Sequence, residues 1–510
     1  MAKTNTSSRR RFVGWLGSPA CFRVILGLLV VQAAWIALSG RYPMAFDEDF
    51  HLGIIRLYAH HLSPFWGNQV PGGGQFGAVA RDPSYLFQYL MSFPYRLISW
   101  FTSDQTIQVL VLRFIDIGLF TSGVVLYRRL LLKTGASRAL THACLLVFVL
   151  IPTVPLLAAQ INYDNMLLPA IALAMLLALR FDSYFTKRRR FDPKTGLQLL
   201  IVCLLASLVK YAFLPVFAAI VIFVLVRAWQ HRRTLPEAWR GTVAAWHRLG
   251  TGLRAGLVVG LVLVTGLFVQ RYGVNLVRYH NPVPGCSDVL TVKQCSQYGP
   301  WIRNYNDELN KVDNDIIPGS LPTFTADWVY GMWLRTFFAV DGPGTNFQTR
   351  GPLVIPGLSA IFFAAAGVVV VVAAAPRLWR KYNTPVFWLF LAVVVSYVGA
   401  LYLDDYQDFL QTGQPVAING RYLLPALLLV FVIVAIAVRE LFGRWQGLKL
   451  AVAALAVLCL AWGGGALTYI LRSNNAWYWP NSTVQTANHA VRSAIGPLTP
   501  GYDRPTQFMH

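Results

Sequence analysis

Eleven stretches of this chain stay apolar for about as long as an α-helix needs to cross a bilayer. A hydrocarbon core about 30 Å thick takes roughly 17 to 25 helical residues. Cutting the sequence at its charged segments leaves runs near that length at 22–40, 106–127, 139–158, 164–180, 197–211, 212–229, 255–272, 352–375, 385–403, 421–438 and 450–471. Residues 197–226 are almost continuously apolar, and Lys210 and Pro215 mark the hairpin between the fifth and sixth runs. Helices satisfy their own backbone groups in lipid, so the expected fold is an all-α polytopic membrane protein with about 11 transmembrane helices. Composition agrees: 55% of residues are hydrophobic and only 13% charged, where soluble domains carry about 25% charged residues. A soluble domain, a disordered chain, collagen and a disulfide scaffold are excluded.

The net charge of +22, from 44 Lys and Arg against 22 Asp and Glu, could suggest nucleic acid. Its distribution says otherwise. With the N-terminus inside, the cytoplasmic segments hold 27 of the 44 bases and four acids, Asp182, Asp192, Glu237 and Glu440. Everything else holds 17 bases and 18 acids. Every loop then obeys the positive-inside rule, which places the C-terminus outside. The expected location is the cytoplasmic membrane of a bacterium, with membrane lipids and no nucleic acid as partners. Residues 9–35 read as an uncleaved first span, because the run is long for a signal peptide and no small-x-small site precedes Arg41. There is no Walker loop, dinucleotide fingerprint or internal repeat. The expectation is one unit over 1–510, with two long extracytoplasmic loops (41–105 and 273–350) and an extracytoplasmic tail (472–510).

Loops of that length usually carry function. In the first, 47–61 reads as a short helix and Pro71-Gly72-Gly73-Gly74 breaks the chain. Residues 82–101 then bring Tyr85, Phe87, Tyr89, Phe93, Tyr95, Trp100 and Phe101 around Arg96, as a helix lying in the membrane interface would. In the second, Cys286 and Cys295 are the only cysteines outside the expected spans. Bridged outside the cytoplasm, they would stabilise the loop by about 2.5 to 3 kcal/mol. Asn481-Ser482-Thr483 fits a glycosylation sequon.

The chemistry-bearing residues gather at the expected outer boundary. Asp47, Glu48 and Asp49 follow the first span directly, and three adjacent carboxylates suit a general base or a divalent cation. On a helix, Asp47 and Glu48 lie four and three residues before His51 and share its face. The competing reading is an acidic first turn that complements the helix dipole. Asn162-Tyr163-Asp164-Asn165 joins the third and fourth spans, Lys210 ends the fifth, Asp404, Asp405 and Asp408 follow the ninth, and Asn419-Gly420-Arg421-Tyr422 opens the tenth. Charges at such depth are functional candidates. Against that stand snorkelling for Lys210, a solvated loop for the three aspartates, a headgroup anchor for Arg421, and an internal ion pair for Arg113 and Asp116. A guanidinium at headgroup depth also matches a lipid phosphate.

Taken together, the chain resembles the GT-C superfamily of membrane glycosyltransferases, which take sugars from polyprenyl-phosphate carriers. Asp47-Glu48 stands where that superfamily has its acidic pair. Protein O-mannosyltransferases have a similar Asp-Glu with a nearby His, although His51 falls one residue later here. Asp-Glu-x-x-His (Asp47, Glu48, His51), Tyr-Asp (Tyr163, Asp164) and Gly-Arg-Tyr-x-x-Pro (Gly420, Arg421, Tyr422, Pro425) are shared, in that order, with a group of bacterial polytopic proteins of unassigned function. The resemblance implies inverting transfer of a sugar from a polyprenyl-phosphate donor to a hydroxyl of a glycan, lipid or protein acceptor. Asp47 and Glu48 would be catalytic, and Arg421, Lys210 and Tyr422 would bind the donor phosphate. His51, Tyr163 and Asp164 would support the site. Asp47, Glu48 and His51 permit a divalent metal without requiring one. A flippase for a lipid-linked glycan and a non-catalytic scaffold are the alternatives.

Overall fold

A computed structural model of the protein describes residues 11–337, 351–443 and 445–503. The basic first ten residues, the end of the second long loop (338–350) and the last of the tail (504–510) lie outside the described residues. The first span, α1 (Pro19–Ser39), leads into a connection that carries α2 (Glu48–Ala59) and α3 (Leu86–Ser99). Six helices follow: α4 (Gln105–Leu132), α5 (Arg138–Val149), α6 (Thr153–Ala158), α7 (Asp164–Arg188), α8 (Pro193–Val209) and α9 (Leu214–Gln230). Next come α10 (Leu235–His247), α11 (Thr251–Phe268), α12 (Gly299–Asp313), α13 (Leu321–Phe337), α14 (Val354–Lys381) and α15 (Pro385–Thr412). The chain closes with α16 (Leu424–Leu441), α17 (Gln446–Ala461), α18 (Ala466–Arg472) and α19 (Ser482–Ile495).

Nine helices among the described residues are long and apolar enough to cross a membrane, and the chain is an integral multi-pass protein. Helices stand at all eleven expected positions, but α5 and α8 fall short of the length that the nine candidate spans reach. The expected third span, 139–158, is not continuous. Pro152 disfavours helix at Ile151 and supplies no N–H, so α5 ends at Val149 and α6 begins at Thr153.

A second break, between α17 and α18 at Gly463-Gly464-Gly465, lies against the first. The Gly465 N–H donates to the Leu150 carbonyl at 2.7 Å, and a Cβ on Gly464 would stand 2.6 Å from that same oxygen. Gln32 of α1 joins the two: its amide nitrogen donates to the Val149 carbonyl at 3.3 Å, and its oxygen accepts from the Ala466 N–H at 3.0 Å. Irregular backbone at membrane depth survives only where protein satisfies it.

The bundle has two chemically different ends. Basic residues occupy the last turns of α4, α7, α9, α14 and α16. At the opposite end lie the end of α1, the starts of α7 and α16, and the end of α8. The ninth span also runs further than its apolar run suggests: α15 continues to Thr412, so Asp404, Asp405 and Asp408 ride on a helix and not in a solvated loop. The tail folds back onto this end, where the Arg41 N–H donates to the Trp477 carbonyl at 2.8 Å and the Trp479 N–H to the Ser39 carbonyl at 3.1 Å.

Replacing Gln32 by Leu would leave the Ala466 N–H and the Val149 carbonyl buried without that partner. A loss of about 1–3 kcal/mol is expected, seen as a lower thermal unfolding midpoint in detergent. An unchanged midpoint would mean the paired breaks are held by other contacts.

Candidate active site

The site begins with a buried ion pair that engages one of the candidate acids. Arg113 of α4 and Glu48, the first residue of α2, are both fully buried. Nε and Nη2 of Arg113 each donate to one Glu48 oxygen at 2.7 Å, the bidentate geometry that suits a guanidinium. Its Nη1 donates to the Ala37 and Gly40 carbonyls at 2.8 and 2.6 Å, closing the open end of α1. Glu48 also accepts from the backbone N–H groups of Met44 (2.8 Å) and Ile161 (3.3 Å). All four lone-pair directions of this carboxylate are therefore taken.

Glu48 thus has no oxygen free for a substrate or an ion. The expected Arg113–Asp116 ion pair is not formed: Arg113 reaches across to Glu48.

The same anchor holds Asp47 in an unusual conformation. Phe46 and Asp47 both lie in the left-handed region, at φ 66° and 67°. Non-glycine residues held there cost of order 1–3 kcal/mol each and persist where their surroundings over-determine them. Glu48 holds the chain on one side, and on the other the Asn162 side-chain amide donates to the Phe46 carbonyl at 2.8 Å. The Asp47 side chain, 51% exposed, is thereby presented to Arg421, whose guanidinium is 2% exposed and donates to it at 2.5 Å. Burial acts to raise the Asp47 pKa, but the charge and hydrogen bond of Arg421 outweigh it and hold the carboxyl below its ordinary range.

Arg421 is itself placed by close packing. Its turn, Gly420–Leu423, lies flat against α13, where a Cβ on Gly420 would collide with Thr336 Oγ1 and stand 2.6 Å from the Met332 carbonyl. Asn419 caps the turn through the Arg421 N–H at 3.1 Å, and Pro425 sits in the first turn of α16. Behind Arg421, Asp164 accepts from Lys210 at 2.7 Å and lies 3.8 Å from Arg421 Nε. Lys210 stands over the rings of Tyr163 and Tyr422, 4.3 and 4.4 Å from their centroids. It points inward and does not snorkel. Asp47, Asp164, Lys210 and Arg421, from four separate segments, thus form one charge cluster, with Tyr163 and Tyr422 as its aromatic walls.

His51 lies beneath this cluster. It is buried, its Nδ1 is 3.2 Å from the Gln88 amide, and its ring meets Tyr163 at 4.5 Å. Burial drives its pKa down to about 3, against the pull of Asp47, so the ring is neutral at physiological pH. The expected metal set of Asp47, Glu48 and His51 does not assemble. Glu48 is saturated, Asp47 is paired, and among the described residues no three His, Cys, Asp or Glu side chains are placed to hold an ion.

Outside the cluster, Cys286 and Cys295 form a disulfide. Arg96 is spent on the carbonyls of Tyr58, Ala59 and His61 at the end of α2. Leu90, Phe93 and Leu97 of α3 remain exposed, an apolar face opposite its buried one. Asn481 caps α19 through Thr483 and Val484, which binds its side chain to the backbone. Asp405 is buried and accepts from Trp328 Nε1 at 2.7 Å.

Residues 60–268 match the family described as dolichyl-phosphate-mannose-protein mannosyltransferase. That stretch contains Tyr163, Asp164 and Lys210, starts after Asp47 and ends before Arg421. Two solved structures of ArnT from Cupriavidus metallidurans are similar over 95% of this chain and 72% of theirs. The apo structure matches at 15% identity with a TM-score of 0.44, and the one bound to undecaprenyl phosphate at 16% with a TM-score of 0.41. No curated protein matches the chain.

Removing one partner of a buried ion pair leaves an uncompensated charge, which costs about 3–5 kcal/mol. Arg113→Met is therefore expected to destabilise the protein by that order, and Arg113→Met with Glu48→Gln to recover most of the loss. Unfolding midpoints in detergent check this. A double variant no better than the single one would show that the pair does not anchor the loop.

Proposed function

We propose that the chain is an integral-membrane glycosyltransferase that moves a sugar from a polyprenyl-phosphate donor to an acceptor hydroxyl, with inversion, on the extracytoplasmic face. The observation that carries this reading is the ion pair of Asp47 and Arg421: one exposed carboxylate held against one buried guanidinium. The match of residues 60–268 to the mannosyltransferase family supports the reaction class. The basic residues at the opposite end of the bundle support the sidedness. Carriers place their polar sites near the bilayer midplane, whereas these charges sit at helix ends, which disfavours the flippase reading.

In this mechanism Asp47 accepts the proton of the acceptor hydroxyl as the oxygen bonds to the anomeric carbon. The bond from that carbon to the phosphate oxygen breaks, and its electron pair leaves with the polyprenyl phosphate. A phosphate is already a good leaving group, so the cationic field of Arg421 and Lys210 matters more than a general acid. Tyr422 closes the donor side, with its hydroxyl 3.1 Å from Arg421. His51, Tyr163 and Asp164 hold these groups in place.

Asp47→Asn removes the base. Transfer from a lipid-linked sugar in reconstituted membranes should fall by at least about 10²-fold, with folding unchanged. Because the Asp47 pKa is depressed, the ionised base is present above that value and activity declines only as pH falls through it. The acid limb of kcat/KM therefore lies below the ordinary carboxylate range, and Arg421→Gln should move it upward. Parental activity in Asp47→Asn, or an acid limb that Arg421→Gln leaves in place, would contradict these roles.

A further inference from the structure

The end of the bundle opposite the charge cluster carries more positive charge than its own acids match. Residues 180–194 and 227–254, which close α7, open α8 and join α9 to α11, hold twelve Lys and Arg against three acids. All three acids are engaged. Asp182 accepts from Arg227 at 2.7 Å, Asp192 caps α8 through the Thr195 N–H at 3.3 Å, and Glu237 lies 3.5 Å from Arg189. Arg232 and Arg233, in the turn just past α9, are exposed, and among the described residues their side chains make no ion pair and no hydrogen bond.

An open groove leads up to these two arginines. It is lined by Leu225, Val226, Trp229, Gln230 and Arg232. Leu225, Val226 and Trp229 are exposed and belong to a span that ends at Gln230, so this wall faces lipid. Arg232 follows the span by two positions, which is headgroup depth, and its guanidinium stands over the Trp229 ring, 5.0 Å from the centroid. The next helix, α10, extends the same surface. One of its faces is bound to protein: Ala238 and Ala245 are buried, and Thr242 Oγ1 accepts from the Phe191 N–H at 3.1 Å. Beside that face Trp239 and Val243 are exposed one turn apart, and Arg240 and His247 are exposed further round. An apolar flank with a polar, basic flank beside it suits a helix lying in the membrane surface. The turns that join α10 to α9 and α11 span at most four residues, which keeps it there.

We propose that this groove binds an anionic phospholipid of the leaflet at the basic end, with the phosphate on Arg232 and an acyl chain along Leu225, Val226 and Trp229. Arg233 adds its field, and Trp239 and Val243 hold α10 in the headgroup layer. The occupant is a lipid because the apolar wall of the groove lies within a span, and it is anionic because the surplus bases meet no carboxylate. Each base close to a membrane surface favours an anionic lipid about fivefold. The site is separate from the charge cluster and stands whether or not a sugar is transferred there.

The test uses purified full-length protein in neutral detergent, titrated with photoactivatable phosphatidylglycerol or phosphatidylcholine of the same chains, with the attachment point located by peptide mapping. Phosphatidylglycerol should attach within the segment from α9 to α10 and bind there more tightly than phosphatidylcholine. Arg232→Gln should weaken that binding about fivefold, and Arg232→Gln with Arg233→Gln about thirtyfold, while phosphatidylcholine is unaffected. Equal binding of the two lipids by the parent, unaltered phosphatidylglycerol binding in the double variant, or an equal loss for both lipids would overturn the site. Competition by inorganic phosphate at the concentration of the lipid would show a site for free anions, and a dimer abolished by Trp239→Ala would show a face between two copies of the chain. Either result would overturn the phospholipid as occupant.

Discussion

The buried pair of Arg113 and Glu48 ties together four parts of the chain that would otherwise be independent. Through it the end of α1, the start of α2, the middle of α4 and the approach to α7 meet at one point. The pair costs desolvation of two charges, and such pairs seldom add net stability over an apolar substitute. What it supplies here is position. A carboxylate with four donors fixes the residues beside it, and the residue immediately before it is Asp47.

That explains why the backbone can hold Phe46 and Asp47 at positive φ. The chain leaves α1 braced by the tail at Ser39 and Arg41, is clamped at Glu48, and is held by Asn162 at Phe46. Between those restraints, Asp47 extends into open space towards Arg421. Gly420 performs the matching task on the other side, since any larger residue would push its turn away from α13. The two halves of the ion pair come from opposite ends of the sequence and are presented by two rigid and unrelated devices. A site whose groups are fixed in this way pays little reorganisation when charge develops.

Much of this was legible in the sequence, and the rest was not for identifiable reasons. The span positions follow from hydropathy. The shared location of Asp47, Asp164, Lys210 and Arg421 follows from their places at helix ends facing one side. Partner choice does not follow, because it depends on rotation about each helix axis. Arg113 has Asp116 one turn away, yet it selects Glu48, 65 positions earlier in the chain. The helical spacing of Asp47 and His51 suggested a common target, but Asp47 stands at the head of its helix in a left-handed conformation and pairs with Arg421, while His51 is buried against Gln88 and Tyr163.

Asp47 is proposed as the base in a direct displacement at the anomeric carbon. The measurement closest to that role is the anomeric configuration of the product formed by the purified protein from a polyprenyl-phosphate sugar of known anomer, read from the one-bond C–H coupling at the anomeric centre. Direct displacement predicts a product of the opposite anomer. A product that keeps the donor's configuration would contradict this role, because it would require an intermediate bond to the enzyme, with a carboxylate acting as nucleophile and not as base.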